Sequence, residues 1–138
     1  MTSPSAFSSD VAAAIAGSSL RDTATIVACA TEGMGPDRVD VRIGALLVSF
    51  GDDRGNLLVG CAPVGMRLLR VPLDFLLGAK VVGGVSASRA TVSEALQRIE
   101  VAMPGIERQS HAPICFWTYW RAGRRWKLYN EKRFGLRR

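Results

Sequence analysis

The chain has little of what most catalytic and metal sites are made from. His111 is its single histidine, and its three cysteines, Cys29, Cys61 and Cys115, stand far apart with no C-x-x-C pair among them. A structural zinc site takes four ligands at short, characteristic spacings, so neither a metal nor another cofactor is expected. The three thiols read as reduced and mostly buried, as in a cytoplasmic protein. There is no Walker loop and no G-x-S-x-G elbow. His111 and Cys115 are four residues apart, which in a strand is about 13 Å, too far for a nucleophile and its base. Asp37, Asp40, Asp52 and Asp53 fall where turn chemistry alone accounts for carboxylates. An enzyme is therefore not expected, a basic single-histidine nuclease or toxin being the one catalytic option that the composition leaves open.

Long apolar runs are also missing. Asp10 interrupts the apolar start, which no basic segment precedes, so a signal peptide is not expected. Arg67, Arg70, Asp74 and Lys80 break the stretch from 57 to 85, so no bilayer-spanning segment and no membrane partner are expected.

What the chain does have is apolar mass and a lopsided charge. At 138 residues with 48% hydrophobic side chains it can bury a core, which excludes wholesale disorder. The net charge of +6 is concentrated at one end. Residues 1–120 hold ten basic and eleven acidic side chains. The last eighteen hold Arg121, Arg124, Arg125, Lys127, Lys132, Arg133, Arg137 and Arg138 against Glu131 alone. Such a block suits a polyanion, nucleic acid first; a solubilising tail, or a tail for an anionic membrane or protein surface, is the plainer alternative.

Along the chain, Ser9 or Asp10 can cap a short alanine-rich helix over 11–16. Strands are expected over 23–30, 39–43, 45–50 and 56–61, with a loop at 32–37 and a hairpin turn at Gly51-Asp52-Asp53-Arg54-Gly55. Residues 64–71 read as a short helix and 73–82 as another, with Pro72 between them. The opening order of one helix and three strands, with a later helix, resembles the double-stranded-RNA-binding fold. The basic helix start that would grip phosphates is replaced by Ala62-Pro63-Val64-Gly65-Met66. This sheet therefore reads as scaffold or dimer surface rather than as an RNA reader.

The stretch 84–103 carries the strongest pattern. Val92, Leu96, Ile99 and Met103 make one stripe of a helix, Thr91 and Glu94 have capping-box spacing, Ser88 is a second N-cap, and Glu94 and Arg98 can pair. Pro104-Gly105 is expected to end it. Ser88, Arg89, Thr91, Ser93 and Gln97 supply hydroxyls, a guanidinium and an amide, groups that bond phosphates and base edges. After it, 111–120 and 126–129 read as aromatic strands joined at Arg121-Ala122-Gly123-Arg124-Arg125. Trp117, Tyr119, Trp120, Trp126 and Tyr129 interleave with the charges, a pattern that fits either a core beneath a hairpin or a stacking surface for single strands.

"GVSASRATVSEALQRIE" followed by "PGIERQ" resembles the recognition helix of the winged helix-turn-helix regulators of the GntR and MarR type and its exit into the first wing strand. The resemblance covers residues 73–129. It implies a DNA-binding regulator or accessory protein with base contacts from Ser88, Arg89, Thr91, Ser93 and Gln97. Phosphate contacts would come from a wing carrying Arg121, Arg124, Arg125 and Lys127, extended by Lys132 and Arg133 of the tail. The expected architecture is α+β: a helix and antiparallel sheet over 1–62 for scaffold and homodimerisation, a winged-helix-like region over 63–129, and a basic tail over 130–138. The alternatives are an RNA-binding or ribosome-associated protein, and a non-enzymatic structural or interaction protein with a basic tail.

Overall fold

The computed structural model describes residues 6–30, 37–66, 69–78, 85–108 and 114–135. Its architecture is α+β. Helix α1 (Ala6–Ala16) leads into a meander of β1 (Ala24–Ala30), β2 (Asp37–Ile43), β3 (Leu46–Asp53), β4 (Asn56–Pro63) and the two-residue β5 (Val71–Pro72). Helices α2 (Leu73–Leu76), α3 (Arg89–Arg108) and α4 (Ile114–Phe134) follow. The sheet order is β1-β2-β3-β4-β5, each strand antiparallel to the next.

Period-two alternation sets the two faces of this sheet. Val39, Val41 and Ile43 pair with Phe50, Val48 and Leu46, and Val48 pairs on with Cys61, so all seven share one face. All are fully buried, under Val11, Ala14 and Ile15 of α1 and the Val92, Leu96, Ile99, Met103 stripe of α3. The other face carries Arg38, Asp40, Arg42 and Ser49. Asp40 is nonetheless buried; Ser49 Oγ donates to its Oδ1 at 2.7 Å, and Arg38 Nε stands at 3.4 Å. The β3–β4 hairpin closes on Arg54 and Gly55 alone, both left-handed (φ 54° and 86°), with Asp52 Oδ1 accepting from Gly55 N at 2.8 Å. Two positive φ values make the tight turn whose twist matches that of paired strands.

Several boundaries differ from the sequence expectation. Helix α1 begins near Ala6, so Ser9 and Asp10 lie inside it rather than at its cap. Residues 64–66 make a turn, not a helix, and Val71-Pro72 is the edge strand, where proline's missing N–H costs little. The helix expected over 73–82 is helical only as α2, followed by a turn at 77–78; the rest of it lies outside the described residues, as does most of the 32–37 loop. Helix α3 runs through Pro104 to Arg108 instead of stopping at Pro104-Gly105.

The largest correction concerns residues 114–134, which form one helix and not the two strands of a wing. Tyr119 and Ala122, three apart, are buried together, the spacing of a helical face. Gly123 is not a hairpin turn. It is where α4 touches β5: a Cβ built there would stand 3.6 Å from Val71 Cγ1. Residues 130–134, expected as the start of a loose tail, are the last turns of α4.

The orientation of α3 generates a paired expectation. Leu96 is fully buried, whereas Val101 on the same helix is 85% exposed. Leu96→Ala should cost about 2–5 kcal/mol in urea unfolding, and Val101→Ala should stay within about 0.5 kcal/mol. Equal costs at the two sites would contradict this packing.

Candidate nucleic-acid interface

Two of the three hydroxyls expected to contact nucleic acid, Ser88 and Thr91, are used by the helix itself. Ser88 caps α3, its Oγ accepting from Thr91 N at 3.2 Å, while Thr91 Oγ1 accepts from Ser88 N at 3.0 Å and donates to Ser86 O at 2.6 Å. This reciprocal pair satisfies two backbone donors, so the capping box starts at Ser88 and not at Thr91. Arg89 is exposed, and its Nη2 would stand 3.8 Å from a Cβ built at Gly17, beside the C-terminal carbonyls of α1. A cation is favourable there. Ser93 is half-buried and Gln97 exposed.

Helical periodicity divides the polar side of α3 into two flanks. Arg89, Ser93 and Gln97 lie on the flank that runs along α1. Thr91, Glu94 and Arg98 lie on the opposite one, which lines a cavity together with Trp126 and Arg133 of α4. Arg98 pairs with Asp74 of α2, Nη2 to Oδ1 at 2.6 Å, and not with Glu94 as the spacing suggested.

On α4 the basic residues separate in the same way. Arg125 is exposed but anchored: its Nη2 donates to Phe75 O at 2.6 Å, and the neighbouring Tyr129 ring meets Phe75 edge-on at 5.5 Å. Arg133 lines the cavity. Trp117, Trp120, Arg121, Arg124, Lys127 and Leu128 are exposed and recur at the i, i+3, i+4, i+7 spacing of a single face, with the exposed Lys132 at its far end. Trp117 and Trp120 are 51% and 41% exposed and meet edge-on at 5.5 Å. The Arg124 guanidinium lies 5.5 Å over the Trp120 ring. The guanidinium over Trp120 is a favourable cation–π contact, and adjacent exposed aromatic rings are a feature of contact surfaces.

The expectation of mostly buried thiols fails at one of the two described. Cys29 is exposed on β1, Cys61 is buried in β4, and the Cys115 side chain lies outside the described residues. Among the described residues no helix is long and apolar enough to cross a membrane. No family model matches the sequence, and no curated protein or solved structure is significantly similar to it.

Burial pushes the Cys61 thiol from 9.0 up to about 12, against the opposing pull of Arg70 and Arg98. A thiol held neutral by folding stabilises the native state fully below its unfolded value, and that contribution is lost as pH rises through the folded one. Urea stability should therefore fall as pH climbs from 9.0 towards 12, and Cys61→Ala should flatten part of that fall. Rapid alkylation of Cys61 in the native protein at neutral pH would contradict its burial.

Proposed function

We propose that the protein is a cytoplasmic nucleic-acid-binding protein whose contact surface is the outward face of α4. The observation that carries this reading is the exposed Trp117–Trp120 pair set among Arg121, Arg124 and Lys127, with Arg124 over the Trp120 ring. Aromatic faces stack on unpaired bases while guanidinium and ammonium groups hold phosphates, and both favour a strand whose bases are accessible. The regulator implied by the winged-helix resemblance asks for a wing and a recognition helix on one front. With a helix in place of the wing, and Ser88 and Thr91 committed to the cap, α4 is the better-supported surface. Duplex DNA, met by laying α4 along a groove, is the second form of the same proposal.

We further propose that two copies pair through β1. Every residue of this strand is uncharged, Ile26 and Val27 are 40% and 49% exposed, and its only strand partner among the described residues is β2. A β-branched edge without charge or proline is a template for another strand, and antiparallel pairing about a two-fold axis lets one strand serve both copies.

Fluorescence anisotropy with a labelled oligonucleotide tests the first proposal. Single-stranded DNA should bind with log K falling by about 0.7 per neutralised phosphate against log salt. Trp117→Ala with Trp120→Ala should weaken it at least tenfold, since each stacked base contributes about 1–3 kcal/mol. Binding that ignores both salt and the tryptophans, or a preference for anionic vesicles over oligonucleotide, counts against it. For the second proposal, light scattering should give a dimer mass for the wild type and a monomer mass for Val27→Lys. A wild-type monomer at high concentration would refute the pairing.

A further inference from the structure

The cavity behind α4 has a structural cause. Strand β5 pairs with β4 only at Gly60 and Cys61. The segment before α3 lies along β4 only at its start, through Leu57 N to Val85 O at 2.8 Å, Ala87 N to Gly55 O at 2.8 Å, and a bridge between Asn56 and Ser86. Between these two short pairings no described residue pairs with Leu58 or Val59 on that edge of the sheet. Helices α3 and α4 border the gap, leaving a chamber of about 840 Å³. This is within the usual size of a small-molecule site, about 300–1,000 Å³. Leu57, Val59, Val71, Leu73 and Ala95 make its walls apolar, and Trp126 of α4 is the aromatic one.

The charged side chains around the chamber are engaged at its rim or beyond it. Arg98 and Asp74 neutralise each other at 2.6 Å. Arg133 is exposed, its guanidinium 5.2 Å over the Phe134 ring. Glu94 is exposed on α3, where water solvates its carboxylate. Gly60 pairs with Ser49, and a Cβ built at Gly60 would meet Arg70 Nε at 2.8 Å. That guanidinium therefore lies on the Asp40 and Ser49 face of the sheet, where it lines a separate small cleft. The Thr91 hydroxyl is spent on the cap of α3. What the chamber offers inside is apolar surface, which a charged group would enter only by giving up its hydration without a partner. An apolar lining of this size selects an uncharged molecule, and the indole favours one that carries a ring.

We propose that this chamber binds one small, uncharged, largely apolar ring compound, packed between β4 and α3 and against Trp126. The site is separate from the outward face of α4, because Trp117, Trp120, Arg121 and Arg124 do not line it. Its failure would leave the nucleic-acid proposal untouched, and the reverse.

Fluorescence titration of the full chain with N-phenyl-1-naphthylamine, an uncharged ring compound, tests the assignment. Its analogue 8-anilinonaphthalene-1-sulfonate has the same ring system and adds one charge. The uncharged compound should saturate at one per chain and bind at least tenfold more tightly than the sulfonate, whose charge finds no partner inside. Ala95→Phe, which projects a ring into the chamber, should weaken binding at least tenfold. Should that variant lose its cooperative urea transition, Leu57→Trp fills the same space from the half-buried strand. Trp126→Ala, which removes the aromatic wall, should weaken binding in the same direction. Trp117→Ala with Trp120→Ala should leave it unchanged, which separates the chamber from the exposed ring pair on α4. No saturable signal overturns the proposal. Equal or tighter binding of the sulfonate, binding that survives the filling variants, or binding lost with Trp117 and Trp120 does so as well.

Discussion

The close approach of α4 to β5 at Gly123 and Val71 is the contact on which the functional reading depends. A helix has one face to bury and one to present, and which is which follows from where it is pinned. Here the pins are Tyr119 and Ala122 in the core, Gly123 against Val71, and the Arg125 guanidinium on the Phe75 carbonyl. A Cβ at 123 would stand in van der Waals contact with Val71 Cγ1, so little room separates helix and strand there. With Tyr119 and Ala122 turned inward, Trp117, Trp120, Arg121, Arg124 and Lys127 are left in solvent.

The same pinning separates two surfaces that a count of charge would merge. The eight basic residues after position 120 form one block in the chain, yet the fold distributes the described ones. Arg125 is a structural hydrogen-bond donor and Arg133 lines the cavity, while Arg121, Arg124, Lys127 and Lys132 face outward. On α3 the division is similar. Arg98 ties the helix to α2 through Asp74, Ser88 and Thr91 close its first turn, and only Arg89, Ser93 and Gln97 remain on its α1-side flank. An arginine contributes to binding only where folding has not already used its fork.

Local patterns that extend over several residues were legible in the sequence. The alternation in Val39, Val41 and Ile43 and the Val92, Leu96, Ile99, Met103 stripe mark elements that form where the pattern put them, and the turn read over 51–55 forms at its last two residues, β3 running on to Asp53. The aromatic segment misled for a physical reason. Phe116 to Trp120 is rich in residues that favour strands, and Gly123 among arginines resembles a turn. What decides for a helix is tertiary: Tyr119 and Ala122 find a buried surface together, and Gly123 meets Val71, far earlier in sequence. The cavity was illegible for a related reason, since it arises from the shortness of β5, and a two-residue strand leaves no periodic signal. The ion pair of Arg98 shows the limit of spacing rules, because Asp74, distant in sequence, displaced the helical neighbour Glu94.

The outward face of α4 is the surface proposed to meet nucleic acid. Photo-crosslinking with an oligonucleotide carrying 5-iodouracil, followed by peptide mapping, reports which aromatic rings lie against the bases. Adducts at Trp117 or Trp120 are the predicted result. An α4 left unmodified at both rings under conditions where the oligonucleotide is bound would contradict it.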